Sequence, residues 1–181
     1  MRSELSDGRI RIRRYRADDA DALYEAVRES IDKLIKWMPW CHPDYSRDES
    51  VEWTSTRDAD WESGVTYDFV IEDNETRRFL GGCGINNIDN LNKHANLGYW
   101  AKSGCTGKGV ATAAAMLMIK FAFEDLGLVR IEIVHAIENK ASRRVIEKTG
   151  AFKEGVARNR VMLSSGPHDA IVYSLIPADI K

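Results

Sequence analysis

The chain has 181 residues, 44% of them hydrophobic and 30% charged, with 26 Lys and Arg against 28 Asp and Glu for a formal net charge of -2. This is ordinary globular composition, which excludes a disordered chain, and so even a charge balance excludes nucleic-acid binding by overall field alone. The three cysteines (Cys41, Cys83, Cys105) form no Cys-x-x-Cys pair and the four histidines form no His-Glu-x-x-His motif, which excludes a disulfide framework and a structural zinc site.

The opening Met1-Arg2-Ser3-Glu4 lacks the apolar run of a signal peptide. The longest uncharged stretch, 109–119, is far short of the ~20 residues that a membrane span needs. A cytoplasmic protein with reduced thiols is therefore expected.

Residues 9–13 (Arg-Ile-Arg-Ile-Arg) alternate with the period of a half-buried strand, and the acidic residues Asp18, Asp19 and Asp21 follow at once. That argues for a solvated strand face over a basic nucleic-acid arm. Asp18 is a good N-cap for a helix through Ala20, Leu23 and Val27. An apolar, aromatic stretch over 31–40 ends at Pro39 and Pro43. Ser46-Arg47-Asp48-Glu49 is a capping box, predicting a helix with Val51, Thr54 and Trp61 near one face and Gly64 as its stop.

Residues 67–72, 79–88 and 95–101 read as three strands joined by polar turns at 73–76 and 89–92, an antiparallel meander. A glycine-rich loop follows at 103–109, then a helix over 110–126 stopped by Gly127. Residues 129–135 read as a strand. Asn139 caps a helix over 140–149, and Gly150 ends it. Strands 152–163 and 168–175 close the chain around a turn at Ser165-Gly166-Pro167. One α/β (α+β) domain spanning 1–181 fits, with a mixed, mostly antiparallel sheet flanked by helices.

The glycine loop carries the strongest chemical signal. A helix N-terminus exposes unpaired N–H groups and partial positive charge, and glycines let an anion approach that backbone closely. Gly107-Lys108-Gly109-Val110-Ala111 is thus a candidate phosphate cradle, and a plain helix start with a flexible lead-in is the alternative for the loop taken alone. It is not a Walker loop, because Lys102 stands where the first glycine belongs and Gly109 follows the lysine. Nor does it fit a dinucleotide fold, because Thr112 replaces the third glycine and the loop follows an antiparallel meander.

Three motifs in order make the stretch 96–152 resemble the GNAT acyltransferases, which use acetyl-CoA. The loop matches their Gln/Arg-x-x-Gly-x-Gly/Ala signature at Gly109 and Ala111, with Thr106 in the leading place. Leu97-Gly98-Tyr99-Trp100-Ala101 is similar to the family's β-bulge strand. Asn139, Ser142, Glu147-Lys148, Gly150 and Phe152 are similar to its closing helix. Together with Leu34, Trp37, Met38, Pro39 and Trp40 early in the chain, these residues resemble the Rim-type branch, which acetylates N-terminal amines of ribosomal proteins.

The resemblance implies a single GNAT domain whose sheet splits near the cofactor. It implies direct acetyl transfer from acetyl-CoA to an amine in a ternary complex, most simply the Ser or Ala N-terminus of a ribosomal protein. It implies that the backbone of Gly107, Lys108, Gly109, Val110, Ala111 and Thr112 holds the pyrophosphate. Tyr99, Trp100 and Ala101 would meet the pantetheine arm, and so would Asn139. Ser142 would stand near the departing sulfur as proton donor, since the tyrosine that many superfamily members place four residues on is Ile146 here. No metal and no nucleic acid are implied, and a homodimer is compatible with the branch.

The general base stays open. Rim-type relatives often carry Glu where this chain has Asn96. Asp68, Glu72, His94, His135 or a water chain are the alternatives, and an α-amine with pKa ~7.7–8.0 needs little help. Polyamines or aminoglycosides are alternative acceptors, and a non-catalytic acyl-CoA-binding module is the alternative to an enzyme.

Overall fold

Alternation of isoleucine and arginine builds the first strand pair. In the computed structural model, which describes residues 1–180, β1 (Glu4–Ser6) runs antiparallel to β2 (Ile10–Arg14), with Ile10 and Ile12 fully buried. The arginines of this segment are engaged within the fold. Arg13 is itself buried and meets both Asp19 and Glu72 at 2.6 Å, and Arg11 meets Glu72 at 2.7 Å.

A 3-10 turn (Ala17–Asp19) leads into α1 (Ala20–Leu34). The expected cap at Asp18 is displaced to Asp19, whose carboxylate accepts from the Arg16 N–H at 2.7 Å while held by Arg13. The capping box at Ser46 forms as the sequence predicts. The Ser46 Oγ accepts from the Glu49 N–H, the Glu49 carboxylate accepts from the Ser46 N–H at 2.8 Å, and α2 (Arg47–Ser63) follows. Gly64 ends it at φ +69. Its buried face is Ser50, Thr54 and Trp61; Val51 is 41% exposed and lies off that face.

The meander is β3 (Tyr67–Asp73), β4 (Phe79–Asp89) and β5 (His94–Ala101). Then come α3 (Val110–Glu124), β6 (Arg130–Ala136), α4 (Lys140–Lys148), β7 (Phe152–Leu163) and β8 (Gly166–Leu175). The eight strands form one sheet in the order β1-β2-β3-β4-β5-β6-β8-β7, and β5 with β6 is its parallel pair. No helix among the described residues is long and apolar enough to cross a membrane.

Period-two alternation sorts side chains between two cores. Phe69 and Ile71 of β3 face α3, where Phe121 packs edge-on to Phe69 at 5.0 Å and Trp61 at the end of α2 joins them. Val70 faces the other way, with Leu23, Val27 and Leu34 of α1, Tyr15 and Tyr45.

The two halves of the sheet meet imperfectly. β5 pairs with β6 only from His94 to Asn96, opposite Arg130 to Glu132. Beyond these residues the strands part, so the sheet splits as expected. The bulge expected within 97–101 is absent. β5 stays in regular register with β4 from Asn96 to Ala101, and the irregularity falls between Asn86 and Asp89. The opening is therefore made by loss of pairing on the β6 side, not by an extra residue in β5.

Candidate active site

Three elements converge on the parting of β5 and β6: the N-terminus of α3, the N-terminus of α4, and the free edge of β5. At α3, Gly107 (φ +79) and Gly109 (φ +77) are both left-handed, which an L side chain adopts only with strain. A Cβ at Gly107 would meet nothing within 4 Å, so the approach to the loop is clear. The first turn leaves the N–H groups of Val110, Ala111 and Thr112 without intrahelical acceptors. Thr106, Gly107, Lys108 and Gly109 are exposed. Arg9, far away in sequence, donates to the carbonyls of Lys108 and Gly109 at 3.1 and 3.3 Å and braces the loop.

At α4, Asn139 caps the helix as predicted, its Oδ1 accepting from the Ser142 N–H at 3.0 Å. That bond fixes the first turn and presents the Ser142 hydroxyl to β5. The hydroxyl of Tyr99 lies 3.0 Å from Ser142 Oγ and 3.2 Å from its carbonyl oxygen. Burial pushes the Tyr99 phenol up to about 12, so it stays protonated across neutral pH. The sequence reading valued Tyr99 for its backbone; its hydroxyl is the stronger feature.

Tyr99 and Ser142 open onto a cleft of about 870 Å³. It lies near the upper end of the ~300–1,000 Å³ typical of small-ligand sites. Its floor is a run of glycine. A Cβ at Gly82 would stand 2.8 Å from both the Trp100 indole nitrogen and the Tyr15 hydroxyl, and one at Gly84 would collide with the Asp68 carboxylate. Glycine in mid-strand marks such close approach, and the Gly81-Gly82-Cys83-Gly84 run was a signal that sequence reading passed over.

Aromatic rings wall the cleft. Trp40 meets Trp100 at 6.1 Å, Tyr15 meets Trp53 edge-on at 4.6 Å, and the Arg57 guanidinium lies 4.3 Å over Trp53. Trp37, Met38 and Pro39 line it too, so the early aromatic segment and the Gly98-Tyr99-Trp100 strand do come together. Trp100 turns its ring away from Tyr99, into the α1–α2 core beside Phe79 at 6.0 Å.

The candidate bases separate. Asp68 and His135 line the cleft. Asp68 accepts from Arg57 Nη1 and from Thr66 Oγ1, each at 2.7 Å. Glu72 is locked by Arg11 and Arg13, outside the cleft, and His94, at the start of β5, lies 3.4 Å from Asp89 at the end of β4. Asn96, in the place of a family glutamate, donates through Nδ2 to Asn86 Oδ1 at 2.9 Å. Cys83 is also in the cleft wall, but burial pushes its thiol well above the ordinary value, so it is no thiolate. Arg158 and Arg160 of β7 and His168 of β8 are not among the residues that line the cleft, although Val161 beside them is.

Known proteins are similar to this chain over half to nearly all of its length. YdaF of Bacillus subtilis, which carries the provisional name ribosomal N-acetyltransferase, is 33% identical across 92% of this chain and 91% of its own. The Escherichia coli ribosomal-protein-serine acetyltransferase is 28% identical over about half of each chain, 54% and 54%. Among solved structures, the microcin C7 self-immunity acetyltransferase MccE, in complex with acetyl-CoA and AMP, superposes with a TM-score of 0.86 at 26% identity, covering 94% of this chain and 93% of that one. The acetyltransferase (GNAT) domain family matches residues 9–151, which hold the α3 loop, the parted strands and α4. The chain belongs to the GNAT acetyltransferases.

Proposed function

We propose that this acetyltransferase moves an acetyl group from acetyl-CoA directly to a primary amine, with donor and acceptor bound together, and that the acceptor is the N-terminal amine of a ribosomal protein. The observation that carries this reading is the Tyr99–Ser142 hydroxyl pair at the parting of β5 and β6, between the α3 cradle and an acidic cleft.

The residues fit the donor. The left-handed glycines and the open N–H groups of Val110, Ala111 and Thr112 suit a pyrophosphate, and the exposed Lys108 adds charge beside them. The β6-facing edge of Tyr99, Trp100 and Ala101 has no strand partner, so its N–H and C=O groups can pair with an amide-bearing arm. Asn139 keeps its amide nitrogen as a donor while Oδ1 caps α4. Acetyl-CoA supplies a thioester, an acyl group with a sulfur leaving group. Ser142 holds a proton for that sulfur, and Tyr99, protonated at neutral pH, can replace it. The raised Cys83 thiol argues against an acetyl-cysteine route.

The cleft suits an ammonium. Glu49, Glu52 and Asp68 face it, and its arginine, Arg57, is already bound by Asp60 and Asp68. The choice of ribosomal α-amines rests on the two relatives with ribosomal names. A second reading, a small-molecule amine, draws on the ring walls of Trp40, Trp53 and Tyr15, which would stack a compact acceptor.

Acetyl-CoA turnover, followed by thiol release against enzyme-only controls, separates these. The acceptors are peptides beginning with Ser or Ala, ribosomal proteins, and a panel of polyamines and aminoglycosides. Release that depends on Ser- or Ala-peptides or ribosomal proteins supports the proposal. Release with small amines alone supports the second reading, and acetyl-CoA binding without release to any amine supports a binding module.

A further inference from the structure

We infer that His135 is the proton acceptor for the incoming ammonium, through its Nε2. This rests on the acetyltransferase reading above and names the base that reading leaves open.

Ile131, Ile133 and His135 alternate on the buried face of β6, and His135 is only 4% exposed. Its ring stacks on Tyr173 at 5.7 Å, and it lines the cleft. Nδ1 donates to the Ala136 carbonyl at 2.7 Å, which places the ring proton on Nδ1 and the lone pair on Nε2. Nε2 is buried and has no hydrogen-bond partner among the described residues. A buried acceptor left unmatched is costly, and it persists where function uses it.

The position is the telling part. The β5–β6 register pairs Asn96 with Glu132, and carried past that last pair it sets Tyr99 level with His135. The strands have parted there. Tyr99, bonded to Ser142 of α4, therefore belongs to one strand of the gap and His135 to the other.

The charged groups around the ring leave it neutral. Arg143 and Glu147 of α4 act on it in opposite senses and bond each other at 2.7 Å, and Tyr173 faces it from β8. Burial dominates and lowers its pKa, so the imidazole is uncharged at neutral pH and free to accept. Asp68, the other base candidate in the cleft, is held by Arg57 and Thr66 through Oδ2, while Oδ1 accepts from neither.

The step balances simply. The acceptor arrives as R–NH3+; one N–H bond breaks, an Nε2–H bond forms, and the lone pair left on nitrogen makes the new bond to the acetyl carbon. That proton goes on to solvent. The nitrogen loses a second proton as the C–S bond breaks, which replaces the one Ser142 gives to the sulfur.

The test compares wild type with His135→Gln, a neutral variant that takes no proton, using an α-amine peptide from about pH 6 to about pH 9. Near pH 6 kcat/KM falls about 50- to 100-fold and near pH 7 about 10-fold, the inverse of the fraction of amine that is already neutral. The gap closes above the amine's own pKa, ~8, where the acceptor arrives neutral. Calorimetry gives an unchanged acetyl-CoA Kd. A loss by the same factor at every pH, or no loss, overturns the role. A second readout does not depend on the variant's folding. In wild-type protein with 15N-labelled histidine and CoA bound, the Nε2 resonance of His135 shifts when peptide is added, and an unmoved resonance overturns the assignment. Failure of wild type to acetylate any amine would instead contradict the acetyltransferase reading itself.

Discussion

Arg9 shows how a single side chain can serve the site from a distance. Its two bonds to the carbonyls of Lys108 and Gly109 hold the cradle from outside, where Thr106 replaces the family's usual Gln or Arg. Both bonds are exposed, so they are worth little, about 0.5–1 kcal/mol together. Arg9→Ala should therefore raise the acetyl-CoA Kd about two- to fivefold by calorimetry, with kcat nearly unchanged. Sequence reading placed Arg9 on a solvated strand face, because no local pattern links it to a loop some hundred residues on. The Ser142 hydroxyl was legible from the closing-helix motif. The Tyr99 hydroxyl was not, and sequence reading named His135 only as one of several possible bases, because both depend on which strands part.

At the scale of elements, local signals were the legible ones. The Ser46–Glu49 box, Gly64 and the Asn139 cap each involve neighbours within a turn, and each forms as read. The bulge expected in β5 failed because pairing is decided across strands, and β4 accepts β5 without interruption there. The α3 turn can be tested directly. Gly109→Val puts a branched side chain at φ +77, a strain of about 1–2 kcal/mol that the loop relieves by shifting. Acetyl-CoA affinity should fall about tenfold, while the urea midpoint moves little because the loop is exposed. On the other side of α3, Phe121→Ala removes a ring packed on Trp61, Tyr67 and Phe69, and should cost about 3–5 kcal/mol in urea unfolding.

The whole molecule links its closing strands to the parted sheet by charge. Arg130 of β6 meets Glu132 at 2.8 Å and Glu154 of β7 at 2.6 Å, and Ser174 of β8 donates to Glu154 at 2.8 Å. The Arg130 guanidinium and the Ser174 hydroxyl hold Glu154 down at about 2, against an ordinary 4.5. A depressed carboxylate stabilises the fold above its unfolded value, and that contribution fades as pH falls from 4.5 toward 2. Glu154→Gln should lower the urea midpoint at pH 7 and converge with wild type near pH 2. His135 acts in a higher window. Its folded pKa lies below the ordinary 6.5, so the unfolded chain binds the extra proton first and stability drops as pH falls below 6.5. His135→Gln should flatten that limb while leaving the lower one in place. The fold class and the order of elements from β2 onward were readable from sequence alone, while the short β1 was not. The cleft's glycine floor and acidic, aromatic walls emerge only when α1, α2 and the meander close on one another.

The most direct test of the account compares three proteins in acetyl transfer to a Ser-initial peptide: wild type, Ser142→Ala, and Ser142→Ala combined with Tyr99→Phe. The hydroxyl pair is held to serve the leaving sulfur and not to bind the donor. Wild type should therefore acetylate the peptide's α-amine, and kcat should fall about 10²-fold or more in the double variant. Acetyl-CoA Kd by calorimetry should stay within about twofold throughout. A double variant that turns over like wild type, or one whose entire loss lies in acetyl-CoA affinity, would contradict it.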